Sequence, residues 1–310
     1  MLIHHNSWQY SILYLMLKHL LFIGFMLING SLFACDSCGN SGMSSTGILM
    51  GLQNNTFGLQ YRFAHFESAP NIGSSADYFH QLDLSGSLFV NPRWKVGLSV
   101  PIKYNYRLQQ GIRQPLSGIG DAVVLNTLIL FNNKPLKKNR IIYLDVGLGV
   151  QMPTGNYNPN IHQEGLPENF NLGKGNWGML LRSNVQYKKD RFGLVLINAF
   201  LANSKTNIDY LFGHQFNSSL SLFYKILEKD DFHITPYIGG SFESIRTDLY
   251  ADNNKVHGTG GTGLLGTVGC QVGLSNLVIG AGIQQPIYQS FAQDEVLAKG
   301  RLSFDLTILF

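Results

Sequence analysis

Leu302-Ser303-Phe304-Asp305-Leu306-Thr307-Ile308-Leu309-Phe310 alternates apolar with mostly polar residues and stops on an aromatic. Successive side chains of a strand point to opposite faces. Leu302, Phe304, Leu306, Ile308 and Phe310 therefore share one face, and Ser303, Asp305 and Thr307 the other. A strand this long, greasy on one side and followed by no polar tail, predicts an all-β fold. The expected architecture is a transmembrane, antiparallel, up-and-down β-barrel.

The same unit recurs back along the chain. Strands are expected near 56–67, 77–90, 93–106, 119–131, 139–152, 175–188, 191–203, 213–226, 231–245, 260–274, 276–286 and 297–310, about twelve in all. Short and long connections alternate. Short ones hold Asn91-Pro92, Lys188-Lys189-Asp190, Glu228-Lys229-Asp230 and Ser275-Asn276, with 132–138 somewhat longer. Long ones span 68–76, 107–118, 153–174, 204–212, 246–259 and 287–296. Outer-membrane barrels place short turns in the periplasm and long loops outside.

Leu82, Leu84, Leu88 and Val90 oppose Gln81, Asp83, Ser85 and Ser87; Phe216, Leu220, Leu222 and Tyr224 oppose Gln215, Asn217, Ser219 and Ser221. The fourth strand alternates poorly, since Val123, Leu125 and Ile129 oppose Val124, Leu128 and Leu130. Trp94, Tyr187, Phe192, Tyr224, Phe232 and Phe310 share the lipid-facing parity at expected periplasmic ends, where amphipathic rings belong.

Composition agrees. Charged residues are 14%, aromatics 12%, glycines number 34, and mean hydropathy is +0.02. That average is too polar for a helical membrane protein, and it suits strands with one lipid face and one wet face. A soluble β-sandwich would also alternate, but it explains the strand lengths and loop rhythm less well.

Residues 1–34 read as a signal peptide with a true start near Met16. Lys18 and His19 precede the apolar run Leu20–Ile28, and Ala34 offers a small cleavage residue. A transmembrane helix over 12–28 is the alternative, interrupted by Lys18 and His19. Residues 35–55 form a Cys-containing periplasmic segment able to plug the lumen, and residues 56–310 the barrel. The formal net charge of +4 is too small and dispersed to argue for nucleic acid.

Gly118-Ile119-Gly120-Asp121, then Pro153-Thr154-Gly155, then Gly173-Lys174-Gly175-Asn176-Trp177 follow one another along the chain. This order resembles the outer-membrane transporter-type barrel family named for the MetA pathway of phenol degradation. Cys35-Asp36-Ser37-Cys38-Gly39, with Gly47-Ile48-Leu49 and Gly58-Leu59-Gln60-Tyr61-Arg62, resembles its cysteine-headed subgroup, although Asn40 and Ser41 stand where further cysteines are expected. The resemblance implies an outer-membrane channel or transporter and supplies no substrate. Read physically, the glycines serve strand ends and close backbone approach, and Asp121 and Thr154 cap turns.

Cys35 and Cys38 admit a disulfide or free pair, a lipid anchor on Cys35, or half a metal site. Cys270 shares parity with Leu264, Val268 and Val272, so it faces lipid.

Function is sought in the lumen. Inward candidates are Arg62, Asp83, Lys103, Asp145 and Arg182, then His233, Tyr237, Glu243, Arg301 and Asp305, with Gln60 and Lys95 beside them. Twelve strands enclose a modest interior, which suits a gated conduit. An enzyme is not expected: His65 stands near the outer end, yet no matching serine and no Gly-x-Ser-x-Gly accompanies it. The expectation is an integral Gram-negative outer-membrane, porin-like protein that passes a small, apolar or aromatic solute without a cofactor. Its partners would be outer-membrane lipids and the barrel-assembly machinery that reads a C-terminal strand. A metal- or redox-linked role for the Cys-x-x-Cys segment is the alternative.

Overall fold

The computed structural model describes residues 54–70, 74–137, 139–229 and 232–310. The expectations for the signal, for Cys35 and Cys38, and for a plug lie outside them, save for Asn54 and Asn55.

The wall has twelve strands: β1 Thr56–Ser68, β2 Ser75–Asn91, β3 Trp94–Gln109, β4 in two segments (Ile112–Ile119 and Val123–Lys137), β5 Arg140–Gln151, β6 Gly178–Lys189, β7 Phe192–Asn203, β8 Gln215–Tyr224, β9 Phe232–Ile245, β10 Gly261–Leu274, β11 Leu277–Phe291 and β12 Val296–Leu309. Each pairs antiparallel with its sequence neighbours. The seam is β1 with β12, from Thr56 opposite Leu309 to Ser68 opposite Val296. Closure leaves no edge, so the backbone polar groups of the wall are paired within the sheet, as lipid requires.

Faces follow the alternation. Leu98, Leu148, Leu181, Leu220, Ile238, Val268, Ile283 and Phe304 are exposed on the outside. Trp94, Phe192, Tyr224 and Phe310 ring the short-turn end, with Phe192 and Tyr224 4.6 Å apart. Cys270 lies on the outer face in register with Pro236 and Ala281.

Two expected loops are mostly strand. Residues 107–118 form a hairpin through Gln110-Gly111, both at positive φ, and β4 continues the ladder with β3. Alternation between Ile112 and Ile119 is faint in sequence because Leu116 packs inward on buried apolar residues while Arg113 and Ser117 on the outward face are polar. Likewise β11 runs on to Phe291, past Pro286, and bulges at Ile287, the extra residue between the partners of Leu264 and Leu265 in β10.

Inward room comes from glycine. On the inner face Gly193 faces Phe223, Gly269 faces Tyr237, Gly273 faces His233 and Gly280 faces Asp305 across the ladder. A Cβ at any of them would stand 2.3 Å or closer to the facing side chain. Large inner residues thus lie over their glycine neighbours and fill the lumen. The weak alternation of β4 has the same root: Leu125 packs inward against Gly147 and Gly149 of β5.

Candidate functional site: the lumen and its inward loop

The longest connection, 152–177 between β5 and β6, turns into the barrel mouth. It carries two short 3-10 turns, Ile161–Glu164 and Glu168–Phe170. Ile161, Leu166 and Phe170 join Ala64 and Phe66 of β1, Phe79 of β2, Phe291 of β11 and Ala298 of β12 in one buried cluster. Phe170 stands 4.9 Å from Phe79 and 5.2 Å beneath the Arg107 guanidinium, which is itself paired with Asp77 at 2.6 Å. The Phe170 carbonyl accepts from Asn105 at 3.3 Å, and the Glu164 carbonyl from Gln114 at 2.9 Å. Ile161, Leu166, Phe170 and Leu172 of this loop are all buried.

The root of this loop is the run of glycine motifs. β4 breaks at Gly120-Asp121-Ala122, and the loop's two ends meet there. Asp121 accepts the backbone N–H of Gly155 at 3.0 Å and of Lys174 at 2.8 Å, and the Gln151 amide at 3.0 Å. Thr154 accepts from Ala122 N–H at 2.8 Å. A Cβ on Gly155 would lie 2.7 Å from Gly120 and Gly173 backbone, and one on Gly173 2.6 Å from Asp121 Oδ1. Only bare backbone packs this closely.

Below the loop the inner wall is an ion-pair ladder. Arg62 and Asp83 meet at 2.5 Å, and Gln81 also donates to Asp83 at 2.7 Å. Buried Lys103 lies among Arg62, Asp83 and Asp121. Arg301 grips Glu243 with two bonds, 2.6 and 2.9 Å. Asp145 accepts from Asn184 at 3.2 Å, with Lys95 and Arg182 close by. Tyr237 and Asp305 are neighbours, with Gln271 beside Asp305. His233 lies on the same inner face, over Gly273. All ten candidates read from the sequence thus occupy the inner face, in separate groups.

Two cavities flank this ladder. One of about 360 Å³ opens toward the long-loop end, bordered by Arg107, Glu168, Lys174, Tyr210, Phe212 and Asp248 among others. The other, about 240 Å³, lies toward the short-turn end, bordered by Gln60, Asp83, Lys95, Ser99, Thr127 and Arg182 among others. Along β3, Ser99 borders the lower cavity and Arg107 the upper, with Lys103 between them.

The upper cavity holds charges that sequence reasoning missed. Burial is the main cause of the Glu168 carboxyl being raised to about 7; Asp248 adds to the rise and an Asn171 hydrogen bond opposes it. The exposed His162 ring lies 3.0 Å from Glu168 Oε1. Burial also lowers the Lys174 ammonium to about 8 and raises Asp248. Asp248 accepts from the Tyr210 hydroxyl and from Gly213 N–H, each at 2.6 Å. These groups favour polar guests, because each strands an ionisable head in low dielectric. Among the described residues no group of three or more His, Cys, Asp or Glu could hold a metal ion.

No family model matches the chain, and no curated protein does. Among solved structures it is similar to an outer-membrane channel from Pseudomonas putida F1, with TM-score 0.58, 15% identity, and 84% of this chain and 96% of that one covered. It is also similar to the transport unit of the autotransporter AIDA-I from Escherichia coli (TM-score 0.48, 10% identity, 88% and 94% covered) and to the NanC porin (0.42, 8%, 81% and 100%). With the apolar belt and the closed ladder already described, the fold is that of a twelve-stranded β-barrel integral to the outer membrane.

Proposed function

We propose that this barrel is a passive channel for a small solute, held nearly shut by its inward loop and by the ion pairs beneath it. The observation that carries this reading is the pair of lumenal cavities separated at Lys103, Arg62 and Asp83. Flux requires only that the loop shift and a few side chains rotate. The polar borders of both cavities move the expected solute away from a purely apolar one. A polar molecule, or an aromatic ring bearing polar groups that can rest on Phe212 and Tyr210, suits them better. The glycine motifs and the likeness to the Pseudomonas putida channel support a place in the phenol-degradation-type family.

Single-channel recording of the refolded protein tests this. The expected result is small, rare openings in the native chain. Conductance should be larger and more frequent in Arg62→Ala/Asp83→Ala. Silence in both proteins, and in one with residues 158–170 replaced by a short glycine-serine link, would end the channel reading.

A further inference from the structure

The outer wall carries a second feature, unrelated to the lumen. At the long-loop end of β1 to β4, outward side chains form one continuous stack. His65 lies parallel to Tyr78 (4.5 Å, 5°), and Tyr78 to Tyr106 (4.6 Å, 15°). Arg113 then covers Tyr106 with its guanidinium 4.0 Å from the ring centre and donates to the Tyr104 hydroxyl at 2.7 Å. The register makes this possible: His65, Tyr78, Tyr106 and Pro115 stand opposite one another on four adjacent strands. At the other end Lys299 binds Glu67 at 2.8 Å, so that pair cancels and Arg113 supplies the net charge.

Height matters. Trp94 marks the periplasmic interface, and Tyr104 is ten residues further along β3. With a rise of about 3.3 Å per residue and a tilt near 40°, that is about 25 Å, the height of a barrel's apolar band. Tyr106 therefore stands about 5 Å higher and Arg113, opposite Leu108, about 10 Å higher with its guanidinium reaching back over Tyr106, among the headgroups of the outer leaflet.

We infer that this stack is a binding site for a phosphorylated glycolipid of the outer leaflet. Arg113 would hold a phosphate, and the Tyr78 and Tyr106 rings would pack on the sugar's C–H faces. The chemistry follows from the parts. A guanidinium donates two parallel hydrogen bonds to phosphate oxygens. Here it is already oriented by the ring beneath it, so little freedom is lost on binding.

Native mass spectrometry of the full detergent-solubilised chain, titrated with bisphosphorylated lipid A, reads this directly. A one-to-one adduct is expected. Arg113→Ala should weaken it about tenfold, the worth of one charge-assisted hydrogen bond. Dephosphorylated lipid A and phosphatidylglycerol should bind as weakly as the variant does to lipid A. Heat-modifiable gel mobility reports whether the barrel has folded. Should Arg113→Ala fail to fold, Tyr106→Leu takes its place with the same expected loss. Equal binding of lipid A by the folded variant and the native chain would overturn the site. So would equal binding of phosphatidylglycerol by the native chain.

Discussion

The Asp121 carboxylate binds the backbone N–H of Lys174 at 2.8 Å, across 53 residues of sequence. It holds Gly155 N–H at the same time, so one side chain clasps both ends of the inward loop. Asp121→Ala leaves at least two backbone donors without that acceptor, at about 1–3 kcal/mol each where they stay buried. The barrel should remain folded while residues 153–174 exchange amide hydrogens faster. Hydrogen exchange by mass spectrometry checks this, with Asp121→Asn giving a smaller effect.

Gly155→Ala tests the close packing separately. Its new methyl would press on Gly120 and Gly173 backbone, which cannot swing aside as a side chain can. Overpacking of this kind costs about 1–3 kcal/mol. A matching fall in the urea midpoint of loop protection is expected, together with more frequent channel openings.

Arg301 and Glu243 form a buried, two-bonded pair. Removing one partner strands a charge and costs about 3–5 kcal/mol, whereas removing both costs much less. In urea unfolding from lipid vesicles, Arg301→Met and Glu243→Gln should each destabilise the barrel. The double variant should recover most of the loss.

Loop stability should depend on pH through Glu168. Its carboxyl titrates near 7 in the fold and near 4.5 when unfolded. Between those values the native loop binds more protons than the unfolded chain, so stability falls as pH rises from about 4.5 to 7. Asp248 and Lys174 are the titratable groups beside Glu168 in the cavity, and the His162 ring lies against its Oε1. Lys174 acts in another window: its lowered value makes stability rise between about 8 and 10.5. Protease nicking of the loop should therefore be faster at pH 7.5 than at pH 5. Glu168→Gln should flatten that difference, with His162→Gln run alongside to separate the imidazole's share.

The wall was legible because lipid enforces its rule on every strand. One charge on the greasy face costs about 2–4 kcal/mol at midplane, so parity is written plainly in Leu82 to Val90 and in Leu302 to Phe310. Arg62, Asp83, Lys103 and Arg301 could be assigned inward on parity alone. Their partners could not, because pairing depends on which inner positions share a height. The inward loop was hidden for a different reason. Its apolar residues, Ile161, Leu166, Phe170 and Leu172, follow no period, and short 3-10 turns impose none. Glu168 looked like an ordinary loop acid; only the fold buries it.

The apolar cluster at the mouth joins a loop from mid-sequence to Ala64 and Phe66 on one side of the β1–β12 seam and to Ala298 on the other. These partners lie far apart in the chain, so their meeting is entropically late. The loop then works as a keystone. Ile161 and Phe170 lie against both margins of the seam at once and give them a common apolar surface. Strands numbered first and last are thus drawn together by residues belonging to neither.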